Sequence, residues 1–121
     1  MRRGKFTARP LGAQDGEPFS TGEEAWLWFC RCQIARLDGV RFRAGLGDTP
    51  RPCEPDDIYR AVDGLRRRRV LREVHIGVLG RFGRRLAPPD PYAGDSAGEA
   101  AVWAEALDRL TTVLRPKGIV S

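Results

Sequence analysis

Apolar residues recur at the spacing of one helix face in four separate stretches of the chain. The last stretch is the most regular, with Trp103, Leu107, Leu110 and Leu114 at intervals of three or four residues, the period of an amphipathic α-helix. A segment rich in glycine and proline, from Val40 to Cys53, separates the first stretch from the second. The pattern predicts helices over residues 20–38, 55–67, 70–86 and 96–114.

Residues that begin helices stand at the predicted starts. Ser20 and Ser96 each lie three residues before a glutamate, and this Ser-x-x-Glu spacing is that of a capping box. We therefore expect Glu23 and Glu99 to accept hydrogen bonds from the backbone amides of those two serines. Pro55 suits the first turn of the second helix, where its missing N–H costs nothing.

The apolar stripe changes side between the second and third stretches. With Ile58 placed at 0° and about 100° added per residue, Leu65 falls near 340°, whereas Leu71 and Val78 fall near 220° and 200°. One straight helix cannot bury both stripes against the same core. We therefore expect a tight turn within residues 66–70, which would make these two helices a helical hairpin.

These features predict an all-α fold, an irregular bundle of about four helices. The bundle is expected to form a single domain over residues 20–121, preceded by a flexible basic arm over residues 1–19. A chain of 121 residues is long enough to bury one hydrophobic core. The predicted core consists of Trp26, Ile34, Val62, Leu65, Val74, Val78, Phe82, Trp103, Leu107 and Leu110.

Positive charge is concentrated in one part of the chain. The net charge of the whole chain is +5, but residues 60–86 alone contain nine arginines and two acids. A genome rich in G and C would raise the arginine content everywhere, but it would not concentrate arginine in one segment. The candidate nucleic-acid-binding residues are Arg66, Arg67, Arg68, Arg69, Arg72, Arg81, Arg84 and Arg85. The alternative is that these side chains form only a solvated face.

Glycines at a spacing of three residues mark the third predicted helix. Gly77, Gly80 and Gly83 each cost the helix about 1 kcal/mol relative to alanine. They could form a shallow groove that accepts another helix, or they could let a phosphate backbone approach closely. The alternative explanation is base composition alone.

The sequence contains no phosphate-binding loop, dinucleotide fingerprint or nucleophile elbow, so we expect no catalytic site and no cofactor. The single histidine, His75, flanks the apolar stripe and is expected to be a partly buried structural residue. A small enzyme that uses His75 is the weakest of the hypotheses.

Cys30, Cys32 and Cys53 show no disulfide framework. A zinc site from Cys53, one of the other two cysteines and His75 is conceivable, but the spacing favours no metal.

Two functions are therefore compared. The first is a non-enzymatic accessory or regulatory protein that binds DNA or RNA through the basic edge of the second and third helices. The second is a protein–protein adaptor that exposes a large apolar side chain, such as Trp26, Trp28 or Trp103, to a partner.

No apolar run approaches the roughly 20 residues of a membrane span, and Met1–Phe6 is not followed by an apolar stretch. We expect a cytoplasmic protein without a membrane partner.

Three segments resemble parts of a group of small, arginine-rich bacterial proteins of uncharacterised function. They are Arg51–Asp63, Ala106–Leu110 and Lys117–Val120, and the similarity extends over residues 18–120. The resemblance implies no activity, cofactor or partner.

Overall fold

The computed structural model describes residues 16–39 and 49–121. Within these ranges the chain forms four α-helices: α1 (Gly22–Leu37), α2 (Pro55–Arg67), α3 (Glu73–Arg85) and α4 (Ala97–Leu114). A short 3₁₀ turn, Pro91–Ala93, precedes α4. The same ranges contain no strand, only an isolated parallel bridge between Phe19 and Val120. The predicted all-α bundle and its four helices are confirmed.

Helices α1 and α4 form the centre of the bundle. Each of them packs against all the other helices, whereas α2 and α3 pack on this central pair and scarcely contact each other. The predicted helical hairpin of α2 and α3 is therefore wrong. The two helices meet at a corner, because their apolar stripes are buried against α1 and α4 and not against one another.

The predicted turn between α2 and α3 is confirmed, and its backbone geometry is that of a Schellman motif. The Val70 amide donates to the Leu65 carbonyl at 2.9 Å, and the Arg69 amide donates to the Arg66 carbonyl at 3.0 Å. This pair of hydrogen bonds requires a left-handed residue after the helix. Arg69, with a φ of 63°, is that residue.

The N-cap of α1 lies one residue later than predicted, and its hydrogen bonds do not form the reciprocal pair of a capping box. Thr21, and not Ser20, accepts the hydrogen bond from the Glu24 amide at 3.0 Å. The Glu24 carboxylate in turn accepts from the Ser20 amide at 2.8 Å. Glu23 therefore takes no part in the cap. It accepts a hydrogen bond from the indole N–H of Trp103 at 2.8 Å, which joins α1 to α4.

Most of the predicted core is buried, but Ile34 and Val74 are exceptions. Ile34 is only half-buried because the buried residues of α1 end at Cys32. Val74 is 56% exposed. The buried face of α3 centres near His75 and Leu79, and at about 100° per residue Val74 lies well to one side of it.

The packed core includes residues before residue 20, because Phe19 is fully buried. Its amide donates to the Ile119 carbonyl, and the Ser121 amide donates to the Phe19 carbonyl, both at 2.9 Å. The guanidinium of Arg51 lies 4.2 Å from the centroid of the Phe19 ring. Phe19 therefore belongs to the core and not to the predicted arm. Residues 1–15 of that arm lie outside the described residues.

Helices α1 and α3 approach each other closely at Gly83. A Cβ atom there would lie 2.6 Å from the sulfur of Cys30 and 3.2 Å from Nε1 of Trp26. The same indole donates a buried hydrogen bond of 3.1 Å to the Leu79 carbonyl. Gly83 thus fulfils the expectation that a glycine in this helix accepts another helix, whereas a Cβ atom at Gly77 would meet nothing within 4 Å.

We expect Gly83→Ala and Gly77→Ala to change stability in opposite directions. The added methyl group at residue 83 overpacks the α1–α3 contact and should cost about 1–3 kcal/mol. At residue 77 it has open space, so the higher helix propensity of alanine should stabilise the protein by about 0.5–1 kcal/mol. Urea unfolding of both variants measures the difference. Equal effects of the two substitutions would contradict the close approach at Gly83.

Candidate nucleic-acid interface

The eight candidate arginines are all exposed, and they lie in two groups. Three of them, Arg81, Arg84 and Arg85, lie near the C-terminal end of α3. Nine residues of helix, about 13 Å, separate Arg81 from Arg72. The other group surrounds the turn between α2 and α3, and we call it the basic corner: Arg66, Arg67, Arg68, Arg69 and Arg72.

The group at the end of α3 is largely neutralised by acids of the same chain. Arg81 pairs with Glu99 in the first turn of α4. Arg85 binds both carboxylate oxygens of Asp95, at 3.2 and 3.0 Å, and this bonding holds the pKa of Asp95 below its usual value. Both guanidiniums also lie over the ring of Phe82. These two arginines hold α3 against the first turn of α4 and against the segment that precedes it.

The basic corner is neutralised much less. Arg66 and Arg67 share one carboxylate, Asp63, at 2.8 and 3.3 Å. Within residues 16–39 and 49–121, no carboxylate forms an ion pair with the remaining candidates, which are Arg68, Arg69, Arg72 and Arg84. Three of these four belong to the basic corner. Uncompensated positive charge therefore gathers at one end of α3.

An open groove, which we call the α3 groove, runs beside the basic corner. Its lining combines guanidinium groups with an apolar floor and one carboxylate. The lining residues are Arg66, Arg69, Leu71, Arg72, Glu73, Val74, Ile76 and Gly77. The groove is accessible to solvent, since Val74 is 56% exposed and Gly77 is also exposed.

His75 fastens the corner to α4. The residue is 4% exposed, and its Nδ1 accepts a hydrogen bond from the Arg72 amide at 3.0 Å. Because an amide can only donate, the ring proton must be on Nε2, which lies 2.7 Å from the Glu105 carboxylate. Arg109 holds the same carboxylate at 3.1 Å. Both ring nitrogens are thus engaged, and the expected structural role of His75 agrees with this geometry.

The three cysteines are buried free thiols. Burial is the main cause that raises the pKa of Cys30 and of Cys53 to about 12, so both remain protonated near neutral pH. Among the described residues, no three His, Cys, Asp or Glu side chains come together as metal ligands. The zinc site considered from Cys53 and His75 is therefore not assembled in this part of the chain.

The tryptophans considered for an adaptor are not available to a partner. Trp26, Trp28 and Trp103 are 8%, 5% and 4% exposed, so the expectation that one of them is a docking residue is wrong. All three belong to the hydrophobic core. Trp26 and Trp28 point to nearly opposite sides of α1, and both are covered because α1 packs against the other three helices. The exposed aromatic residues in the described ranges are Tyr59 and Tyr92.

Comparison of the chain with family models, with curated proteins and with solved structures found no match. The resemblance to small, arginine-rich bacterial proteins therefore stays an expectation. No helix in the described ranges combines the length and the apolar character that a membrane crossing requires.

Arg69→Gly is expected to stabilise the protein. Arg69 has a φ of 63°, and this left-handed conformation costs a residue with a side chain about 1–2 kcal/mol. Glycine adopts it without a steric penalty, so the free energy of unfolding should rise by about 1 kcal/mol. Leu86→Gly is the matched control, because Leu86 ends α3 with a φ of 57°. Loss of stability in Arg69→Gly alone would show that the Arg69 side chain holds the corner together.

Glu105→Gln is expected to flatten the loss of stability in acid. Hydrogen bonds from His75 and then Arg109 lower the pKa of Glu105. The unfolded chain therefore protonates first, near the ordinary glutamate pKa of about 4.3. The stabilisation is complete above that pH and is lost as the pH falls through the lower folded pKa. Urea unfolding between about pH 3 and 7 tests this. Asp108→Asn, on the same helix, should flatten the profile less, and equal flattening would contradict the expectation.

Proposed function

We propose that this protein is a non-enzymatic accessory or regulatory protein of the cytoplasm that binds nucleic acid through the basic corner. The observation that supports the proposal most is the uneven neutralisation of the candidate arginines. Acids of α4 and of the segment before it hold Arg81 and Arg85, whereas no acid of the described residues pairs with Arg68, Arg69 or Arg72. The buried free thiols agree with a reducing compartment.

Phosphate is the chemical group that such a corner fits. Guanidinium groups donate paired hydrogen bonds to phosphate oxygens and remain charged at any physiological pH. Each phosphate contact releases condensed counterions, so a few neighbouring arginines give measurable, salt-dependent affinity for any sequence. The proposal uses five of the eight candidate arginines and assigns Arg81 and Arg85 to the stability of the bundle.

A protein–protein adaptor is the second candidate, and the turn before α4 favours it. Tyr92 is fully exposed, and its amide donates to the side chain of Asp90 at 3.0 Å. Asp95 accepts from the Asp90 amide and binds Arg85, so the turn is braced against α3. An exposed tyrosine on a rigid support is typical of interface hot spots. In this alternative the basic corner is only a solvated face.

The combined variant Arg68→Gln, Arg69→Gln and Arg72→Gln is expected to bind duplex DNA of any sequence more weakly than the wild type. If each side chain contacts one phosphate, the slope of log affinity against log salt should fall by about 0.9 per arginine. Fluorescence anisotropy between about 50 and 200 mM salt measures both quantities.

A second triple variant provides the control for net charge. Arg60→Gln, Arg115→Gln and Lys117→Gln remove the same charge from exposed positions outside the basic corner. This variant should keep most of the wild-type affinity and slope. Equal weakening by the two triple variants would overturn the proposal, since binding would then follow net charge. No binding by the wild type at about 50 mM salt would also overturn it and favour the adaptor.

A further inference from the structure

The apolar floor of the α3 groove has no use in binding a duplex backbone. Contacts to a duplex backbone are made by charged and polar groups, but Leu71, Val74 and Ile76 line the groove beside the arginines. The bases of a single strand, unlike a duplex backbone, can use such an apolar surface. Their flat faces are unpaired and can pack on a protein surface away from water. The lining therefore suits a ligand that carries an anionic group and an apolar face together.

Gly77 keeps the floor of the groove open at a cost to the helix. Its φ does not lie in the left-handed region, and a Cβ atom there would meet nothing within 4 Å. Neither backbone conformation nor packing within the described residues requires this glycine, in contrast to Gly83. A side chain at residue 77 would project into the groove, because Gly77 is one of its lining residues.

Glu73 is an acidic residue in the lining of the groove, which it shares with Arg66, Arg69 and Arg72. An acid in the first turn of α3 interacts favourably with the helix dipole, which accounts for its presence on stability grounds. A carboxylate repels phosphate, however, so a pure phosphate site gains nothing from it. It can accept a hydrogen bond from the exocyclic amino group of a base such as cytosine.

We propose that the α3 groove receives one unpaired, amino-bearing base of a single-stranded nucleic acid. The base lies on Val74 beside Gly77, which share one side of α3 with Glu73. The carboxylate of Glu73 accepts from its amino group, and Arg69 and Arg72 bind the adjoining phosphates. This inference rests on the proposed function and specifies its ligand class, a single strand in preference to a duplex.

The test compares labelled oligo-dC, labelled oligo-dT and a mixed-sequence duplex by fluorescence anisotropy at about 50 mM salt. Gly77→Leu fills the groove without a change of charge, and the open space at residue 77 lets the variant fold. We expect it to weaken binding of oligo-dC about tenfold and to leave the duplex affinity unchanged. Glu73→Gln should reduce the preference for oligo-dC over oligo-dT.

Gly80→Leu is the matched control, because residue 80 lies on the same helix but outside the groove lining. It should leave all three affinities unchanged. If Gly77→Leu also leaves them unchanged while the triple arginine variant weakens all three, the proposed function stands and the single-strand inference is overturned. If the wild type binds none of the three nucleic acids, both are overturned. Weaker binding of an acidic amphipathic peptide by Gly77→Leu than by the wild type, with no effect of Gly77→Leu on oligo-dC, would overturn the inference and assign the groove to a protein partner.

Discussion

The reversal of the apolar stripe between Leu65 and Leu71 is the constraint on which the rest of the structure depends. Because one straight helix cannot bury both stripes, the chain turns after α2, and α2 and α3 pack separately on the central pair α1 and α4. The turn itself lies outside the core, so the arginines of the basic corner are exposed to solvent. The same packing requirement thus determines the architecture and places the positive charge.

Several interactions hold the corner in a defined position. The Schellman motif ends α2 with Arg69 in a left-handed conformation that favours glycine. His75 binds the Arg72 amide and the Glu105 carboxylate, so the start of α3 is tied to α4. Gly83 brings the other end of α3 against α1. A surface supported in this way loses little conformational entropy when it binds a ligand.

Periodicity and the residues that begin helices predicted the four helices, because each helix buries a stripe of apolar residues. The change of phase placed the turn within residues 66–70, and the structure shows Arg69 as its left-handed residue. Contacts between distant segments were not predictable in the same way. Phe19 lies in a segment without periodicity, and its partners are residues 119–121. The pairing of Arg81 with Glu99 and of Arg85 with Asp95 depends on how α3, the first turn of α4 and the segment before α4 lie in space. The sequence therefore indicated eight equivalent arginines, and the fold separates them into two groups.

The most direct test of the central claim is an NMR titration of the ¹⁵N-labelled protein with a single-stranded oligonucleotide. If the basic corner and the α3 groove form the binding surface, the amide shifts should change at residues 66–77. The amides of Glu99 and Asp95, whose side chains hold Arg81 and Arg85, should change little. Shift changes centred on the turn around Tyr92, or spread evenly over the exposed arginines, would contradict the account.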